Sequence, residues 1–310
     1  MDDRITRRQA LQVGATAALC LANAKTCALA GVDVEKRAPL IDTHLHCFAG
    51  GGDSRFPYHE RAPYRPAAAA TPEHLLACME QAKVDFAIVV HPEPYQDDHR
   101  YLEHCLAAGR GKLKGTLLLF ADRHGSLERM TELCDRLDVV STRVHAYVDE
   151  RLPPFGTREL RRLWSMATEL GLAVQLHFEP RYAPGFEPLI REFSKTTVII
   201  DHMGRPLQGS TKEHAVVLRW ADLGNTVMKL SSLAGVSEYP HRPIEPIIRQ
   251  LTDAWGAERM IFGDSFGADS TGETYAAAFN RARGYLSHLS AAAQDKVLGG
   301  TAAKLFGFSA

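Results

Sequence analysis

Two histidines one residue apart, His44 and His46, end a short apolar run that begins at Pro39. In a β-strand successive side chains point to opposite faces, so both imidazoles would project from the same face. Two parallel imidazoles can bind one metal ion or polarise one substrate group. The alternative is a polar strand end whose two histidines are only solvated. The glycines at residues 50–52 let the following loop leave the strand sharply.

Other histidines repeat this pattern, each at the end of an apolar, β-branched run. Eight such runs alternate with helix-like segments, at residues 39–44, 85–91, 114–120, 138–145, 172–178, 196–202, 225–231 and 259–264. Six of the fourteen histidines lie at the carboxyl ends of these runs: His44, His46, His91, His145, His177 and His202. The eighth run ends at Asp264. Because the carboxyl ends of parallel strands meet at one edge, the pattern predicts a site of imidazoles and a carboxylate there.

The elements that would position these residues indicate an α/β barrel. Runs rich in Val, Ile and Leu that alternate with helices are typical of a parallel sheet covered on its outer face. Eight strands close a (β/α)₈ barrel, and the length of the chain suits that fold. An open doubly wound sheet usually carries a GxGxxG loop after its first strand, and this sequence lacks one. No repeat or linker divides residues 31–310, so we expect a single domain there.

The composition excludes some functional classes and sets the first thirty residues apart. The chain has 310 residues, 45% of them hydrophobic and 24% charged, with a net charge of −1. The sequence has no long run of like charges, so nothing in it indicates a nucleic-acid-binding surface.

Residues 1–30 contain Arg7 and Arg8, an apolar stretch and the small-residue pattern ALA, which predict a twin-arginine signal peptide and a periplasmic or exported protein. A disordered or amphipathic helix is the alternative. No later stretch is long and apolar enough to span a membrane, so we expect no membrane association after signal removal.

Four cysteines remain outside the predicted signal peptide. They are Cys47, Cys78, Cys105 and Cys134. Their spacing is wide and contains no CxxC pair, and a core of this size does not need disulfides. We therefore predict free thiols.

The chemistry of the predicted site follows from its donor groups. Neutral imidazoles and a carboxylate suit zinc or a similar cation that keeps one position open for water. Such a metal would lower the pKa of its bound water and polarise a carbonyl oxygen. The carboxylate could take a proton from the attacking water and return it to the leaving oxygen. Arg143 and Arg205 are candidates for binding an anionic substrate, with a surface ion pair as the alternative for Arg143.

Six segments together resemble the amidohydrolase-related lactonases, the branch of the amidohydrolase superfamily that contains 2-pyrone-4,6-dicarboxylate hydrolase and the sugar-acid lactonases. The segments read IDTHLHCF, VVHPEPYQDD, VQLHF, VIIDHMGRP, VMKLSSL and LGGTAAKLFGF, and they span residues 39–308 in order. The resemblance implies an α/β fold of one distorted TIM (β/α)₈ barrel that hydrolyses a lactone or related cyclic ester. It implies a small-molecule substrate, expected to be an anionic lactone. The alternatives are a metal-dependent decarboxylase of an aromatic acid and a non-catalytic binding barrel.

The resemblance and the chemistry of the side chains together assign expected roles to individual residues. The histidines expected to bind metal or polarise the carbonyl are His44, His46 and His177. The residues expected to be catalytic are His202 and Asp264. Those expected to bind substrate are Arg143, His91, Tyr95 and Arg205, and Lys229 is expected to be an internal charge of the barrel. The family is divided over metal, so both one divalent cation such as zinc and metal-independent catalysis stay open.

The eighth strand departs from the family pattern. The family usually ends this strand with Gly-Ser-Asp, whereas this sequence reads FGDSFGA and so places Asp264 one residue early and Ser265 at the position of the acid. A one-residue shift in a regular strand turns a side chain to the other face, although a bulge can aim it back. We predict that Asp264 is the working acid. The exact substrate and the oligomeric state are not fixed by the sequence.

Overall fold

Eight parallel strands form one sheet in the order of the chain and alternate with helices. The computed structural model describes residues 37–233, 243–263 and 266–309. The strands are β1 (Ile41–Leu45), β2 (Phe86–Val90), β3 (Leu113–Leu118), β4 (Val139–Ala146), β5 (Ala173–Phe178), β6 (Val198–Ile200), β7 (Thr226–Leu230) and β8 (Met260–Phe262). The helices are α1 (Pro72–Ala82), α2 (Arg100–Gly109), α3 (Glu128–Arg136), α4 (Arg158–Glu169), α5 (Ala183–Glu192), α6 (Thr211–Arg219), α7 (Glu245–Trp255), α8 (Gly272–Tyr285), α9 (Ala291–Asp295) and α10 (Thr301–Phe306).

Local chemistry fixes where several helices begin. At the start of α1 the Thr71 side chain accepts a hydrogen bond from the His74 backbone amide, and Pro72 occupies the first helical position, where no donor is needed. At the start of α6 the side chains of Ser210 and Glu213 cap each other's backbone amides. These caps fix where the loop after β1 and the loop after β6 end.

The first and last strands meet and bring the sheet close to a closed barrel. The Thr43 hydroxyl donates a hydrogen bond to the Phe262 carbonyl at 2.7 Å. Gly263 packs so closely on β1 that a Cβ atom there would lie 2.4 Å from the His44 backbone nitrogen. The barrel is distorted, because β6 and β8 have only three residues each and the register of β1 with β2 shifts between Asp42 and Leu45.

The amino-terminal end of the barrel is filled with apolar side chains. This cluster consists of Ile41, Ile88, Ala173, Ile199, Val227, Ile261, Ala302, Phe306 and Phe308. The ring of Phe308 stacks on Phe86, with the ring centroids 4.9 Å apart. Side chains alternate along each strand, so the residues two positions after these apolar ones face the interior nearer the carboxyl end, where polar groups lie.

The predicted (β/α)₈ barrel is confirmed, and each strand begins within two residues of its predicted run. Residues 38–310 belong to one compact unit. The four cysteines outside the predicted signal peptide are free thiols, as expected. None of the helices in the described part of the chain is long and apolar enough to cross a membrane. The predicted signal peptide, residues 1–30, lies outside the described residues and stays a prediction.

Candidate functional site

A cavity of about 420 Å³ opens at the carboxyl ends of the strands. It is lined by His44, Leu45, His46, Pro63, Tyr64, Glu93, Arg143, His145, Tyr147, Arg151, His177, His202, Arg205 and Phe266. This end of a (β/α)₈ barrel is where catalytic sites of the fold are built. Six of the nine residues predicted for the site line it, namely His44, His46, His177, His202, Arg143 and Arg205.

Four histidine rings lie together in this cavity. The ring centroid of His202 is 4.6 Å from that of His44 and 5.0 Å from that of His177, and the His44 and His46 centroids are 5.3 Å apart. Burial lowers the pKa of His46 to about 4 and that of His202 to about 3. Burial also holds the pKa values of His44 and His177 well below the usual value. All four rings are therefore neutral at pH 7.

The ring of His46 has a defined tautomer. Its Nδ1 lies 2.7 Å from the Val90 carbonyl oxygen, which can only accept, so Nδ1 carries the proton and donates. The lone pair is then on Nε2. A neutral imidazole oriented in this way offers an acceptor for a substrate group or a ligand for a cation.

A buried carboxylate, Asp201, lies beneath the imidazoles and was not predicted. Its Oδ1 is 3.1 Å from Lys229 Nζ, and its Oδ2 is 2.9 Å from Arg143 Nη2. Gln175 donates a further hydrogen bond to Oδ2 at 2.9 Å. Burial alone would raise the pKa of Asp201, but Lys229 and Arg143 outweigh it and hold the pKa well below its usual value. Strand alternation could have found this residue, because Asp201 lies two positions after inward-facing Ile199.

His202 reaches the cavity only because the backbone reverses after Asp201. In a regular strand the residue after an inward-facing side chain points outward. Here φ is 51° at His202 and 59° at Met203, both in the left-handed region. That conformation costs about 1–2 kcal/mol per residue with a side chain. The hydroxyls of Ser231 and Ser232 lie 2.8 and 2.9 Å from His202 Nδ1 and fix the ring.

Arg143 and Lys229 are internal cations of the barrel. The side chain of Arg143 is 4% exposed, so the surface ion pair considered for it is wrong. Its Nη2 lies 3.5 Å from His44 Nε2 and 3.4 Å from His202 Nε2, which places a positive charge beneath the imidazoles. Lys229 donates a hydrogen bond to the Thr43 carbonyl at 3.0 Å, and burial lowers its pKa. Lys229 is thus an internal barrel charge, as the family resemblance implied.

Two residues predicted to bind substrate do not line this cavity. His91 is buried beside it, with its ring centroid 4.3 Å from that of His99 and its Nε2 donating to the Gln96 carbonyl at 2.9 Å. Tyr95 is also buried, and its hydroxyl accepts a hydrogen bond from the Ala49 backbone amide at 2.8 Å. Both side chains hold the loops after β1 and β2. Their predicted contact with substrate stays a prediction. Asp264 lies outside the described residues, so its predicted catalytic role stays a prediction.

A second carboxylate, Glu93, forms part of the cavity wall and was also not predicted. Its Oε1 is 3.2 Å from His145 Nδ1 and 2.9 Å from Arg151 Nη1, and the Tyr147 hydroxyl donates a hydrogen bond to its Oε2. Burial alone would raise the pKa of Glu93, but the contacts with His145, Tyr147 and Arg151 bring it down to about 2. The cavity wall therefore carries an ionised carboxylate, Glu93, paired with the guanidinium of Arg151. Glu93 lies two residues after His91 in the chain.

Among the described residues, His44, Asp201 and His202 form a group that could hold a metal ion. One ligand atom from each lies within 4.8 Å of the others. Two neutral imidazoles and one carboxylate are donors of the type that zinc accepts in catalytic sites. The donor set therefore fits a divalent cation, although Arg143 and Lys229 already neutralise the carboxylate.

A barrel with neutral imidazoles and buried carboxylates at its carboxyl end is the architecture of an enzyme that activates water. The amidohydrolase family model matches residues 41–308, and the chain belongs to this family. It is an enzyme of the hydrolase class and resembles the lactone-hydrolysing branch.

Three comparisons describe this likeness. The 4-sulfomuconolactone hydrolase of Rhizobium radiobacter is 26% identical over 230 residues, which cover 73% of this chain and 74% of that protein. A probable 2-pyrone-4,6-dicarboxylic acid hydrolase of Acinetobacter baumannii, solved with citric acid bound, superimposes with a TM-score of 0.72 at 19% identity, covering 87% of this chain and 99% of that one. An amidohydrolase of Burkholderia multivorans, solved with bound zinc, superimposes with a TM-score of 0.67 at 17% identity, covering 88% of this chain and 100% of that one.

Proposed function

We propose that this enzyme hydrolyses an anionic lactone or a related cyclic ester. The observation that carries the proposal is the cavity itself, where four neutral imidazoles surround a buried ion network and arginines lie on the wall. The likeness to a 4-sulfomuconolactone hydrolase supports the substrate class, because that lactone carries a sulfonate.

The reaction adds water across the ring ester. The water oxygen bonds to the carbonyl carbon, the bond from that carbon to the ring oxygen breaks, and a proton from water ends on the leaving oxygen. We assign the proton transfer to Asp264, following the sequence prediction. The imidazole of His177 would donate a hydrogen bond to the carbonyl oxygen and stabilise the charge that develops on it. The lone pair on His46 Nε2 would instead accept a hydrogen bond from the attacking water.

The anionic group of the substrate would bind to the part of the cavity wall formed by Tyr147, Arg151 and Arg205. The guanidinium of Arg151 lies 5.3 Å and that of Arg205 lies 5.7 Å from the centre of the Tyr147 ring. Arg151 also pairs with Glu93, which sets its position. Planar guanidinium groups held in this way suit carboxylate or sulfonate, which they can bind through two parallel hydrogen bonds.

We propose one divalent cation, zinc, held by His44, Asp201 and His202. When bound, it would act as a Lewis acid on the substrate carbonyl and lower the pKa of a water. The zinc in the Burkholderia multivorans structure supports this choice. The metal-independent alternative rests on Arg143, whose guanidinium already lies within 3.5 Å of both imidazoles.

A hydrolysis screen with metal analysis tests the proposal. The purified protein is incubated with 4-sulfomuconolactone, 2-pyrone-4,6-dicarboxylate and sugar-acid lactones, and ring opening is followed by absorbance and proton release. We expect at least one anionic lactone to open and a neutral ester of the same lactone to react much more slowly. Release of carbon dioxide from an aromatic acid, with every lactone left intact, would replace the proposal by the decarboxylase alternative. Elemental analysis of the same sample decides between about one zinc per chain and none.

A further inference from the structure

The turn from His202 to Arg205 has left-handed backbone at every residue. The φ angles are 51° at His202, 59° at Met203, 67° at Gly204 and 52° at Arg205. Such conformations are unfavourable for residues with side chains and persist only where surrounding contacts hold them. The first and last residues of the turn, His202 and Arg205, both line the cavity. The presentation of two site residues therefore depends on what holds this turn.

Helix α6 supplies contacts to the far side of the turn. The buried ring of His214 places Nε2 at 2.9 Å from the Met203 carbonyl oxygen. Because a carbonyl oxygen only accepts, Nε2 carries the proton and donates. One helical turn further on, Val217 lies against Gly204, where a Cβ atom would come within 2.7 Å of the valine Cγ1. A side chain at Gly204 would thus push the turn away from the helix.

The start of α6 is itself fixed close to the turn. The Ser210 hydroxyl accepts a hydrogen bond from the Glu213 backbone amide at 3.2 Å, and the Glu213 carboxylate accepts one from the Ser210 backbone amide at 2.7 Å. This capping box determines where the helix begins, and His214 is the next residue after Glu213. The position of His214 in the first turn of α6, opposite Met203, is therefore fixed.

We propose that His214 is a positioning residue of the active site. Its hydrogen bond to the Met203 carbonyl, together with the contact of Gly204 with Val217, holds the left-handed turn that presents His202 and Arg205 to the cavity. The expected loss of kcat rests on the proposed lactone hydrolysis, whereas the expected opening of the turn does not.

Two substitutions at His214 separate the hydrogen bond from packing. His214→Phe keeps a ring but removes the donor, and we expect kcat to fall about a hundredfold, as a displaced site residue requires. His214→Gln retains a donor at a similar reach and should recover most of kcat. The matched control is His288→Phe. His288 lies in the turn after α8, and its Nε2 is 2.8 Å from the Thr252 hydroxyl on α7, so loss of this contact should leave kcat unchanged.

Hydrogen exchange gives a readout that does not need activity. The Arg205 amide donates to the His202 carbonyl at 2.8 Å, so opening of the turn should speed exchange in a peptide covering residues 198–208. We expect faster exchange there in His214→Phe and in Gly204→Ala, but not in His288→Phe. If the parent opens no lactone, the proposed function fails, and this exchange measurement alone decides the inference.

A double variant tests whether both contacts act through the same turn. If they do, His214→Phe combined with Gly204→Ala should lower kcat little further than either change alone. Multiplicative losses in kcat would overturn the shared role. Unchanged exchange at the turn in His214→Phe, or equal losses in His214→Phe and His214→Gln, would overturn the positioning role of the hydrogen bond.

Discussion

Arg143 and Asp201 form a fully buried ion pair in which both Nε and Nη2 of the guanidinium lie 2.9 Å from the same carboxylate oxygen. The other carboxylate oxygen faces Lys229 at 3.1 Å. Two cations therefore share one anion in the barrel interior, directly beneath the imidazoles of His44 and His202. The guanidinium of Arg143 thus links the buried carboxylate to both rings.

Removal of the shared anion should therefore destabilise the fold. Asp201→Asn leaves Arg143 and Lys229 buried without a counter-charge, and we expect the free energy of unfolding to fall by about 3–5 kcal/mol. Urea unfolding measures the change. The matched control is Asp138→Asn, which breaks the pair with Lys114 at the protein surface and should cost less than about 1 kcal/mol. Equal losses in the two variants would contradict the buried network.

Stability should fall as the pH decreases from 6.5 towards 5. Burial sets the pKa of His46 at about 4 and that of His202 at about 3, both below the ordinary value of 6.5. The unfolded chain thus binds protons on these rings in a range where the folded chain does not, so protons favour unfolding. Each ring contributes a slope that rises from about 0.7 kcal/mol per pH unit at pH 6.5 to about 1.3 near pH 5, where the unfolded ring is almost fully protonated. Carboxylates titrate mainly below it.

Urea unfolding at several pH values measures this slope. His46→Phe removes one of the titrating rings and should reduce the slope by about one proton. A free energy of unfolding that stays constant between pH 6.5 and 5 would show that the rings are not held neutral by burial.

The fold could be predicted from the sequence because its signals are local and repeated. Each strand is a short apolar run, and helices separate consecutive runs. An error in the bounds of one run therefore leaves the number of predicted strands unchanged. The histidines were found for the same reason, since they end those runs. The barrel then brings them together without further information from the sequence.

The buried ion network of Arg143, Asp201 and Lys229 could not be predicted so directly. Asp201 and His202 are adjacent, and alternation allows only one of them to face inward, yet the left-handed turn brings both to the site. That reversal depends on contacts with α6, far from any strand pattern. Likewise, the segment around His91 and Tyr95 resembles the family, but whether a buried ring reaches the cavity depends on packing between loops.

His177 should be required for turnover but not for folding. Its Nδ1 is buried and has no hydrogen-bond partner among the described residues, so His177→Ala breaks no hydrogen bond at that atom. We expect kcat to fall about a hundredfold or more, as when one stabilising group at a carbonyl is removed. His44→Ala should lower both kcat and stability, because Nδ1 of that ring lies 3.5 Å from Asp201. A loss of thermal stability in His177→Ala equal to that in His44→Ala would make His177 a structural residue.

The amino-terminal segment should direct export. Arg7 and Arg8 precede an apolar stretch and the pattern ALA at residues 28–30. After cell fractionation, amino-terminal sequencing should find a mature chain that begins near Gly31 in the periplasmic fraction. Replacing both arginines with lysine should leave the precursor uncleaved in the cytoplasm. A parent protein that retains Met1 and stays in the cytoplasm would contradict the prediction.

The eighth strand offers the sharpest test of catalysis, because Asp264 and Ser265 stand in the reverse of the family order. Asp264→Asn keeps the size of the side chain but removes the proton acceptor. We expect the rate of lactone hydrolysis to fall by about two to four powers of ten. Ser265→Ala should change the rate little, since it removes a hydroxyl that carries no essential proton.

The double change Asp264→Ser with Ser265→Asp restores the family order and asks whether the position or the identity of the acid matters. Because a shift of one residue turns a regular strand side chain to the opposite face, recovery of the rate in the double variant would show that either position can present a carboxylate to the cavity. No recovery would show that the local backbone is shaped for Asp264 alone. Zinc lost together with the rate in Asp264→Asn would make Asp264 a metal ligand. If Asp264→Asn hydrolyses every active lactone at the parent rate, the assignment of the acid to the eighth strand is wrong and the proton must leave through another group.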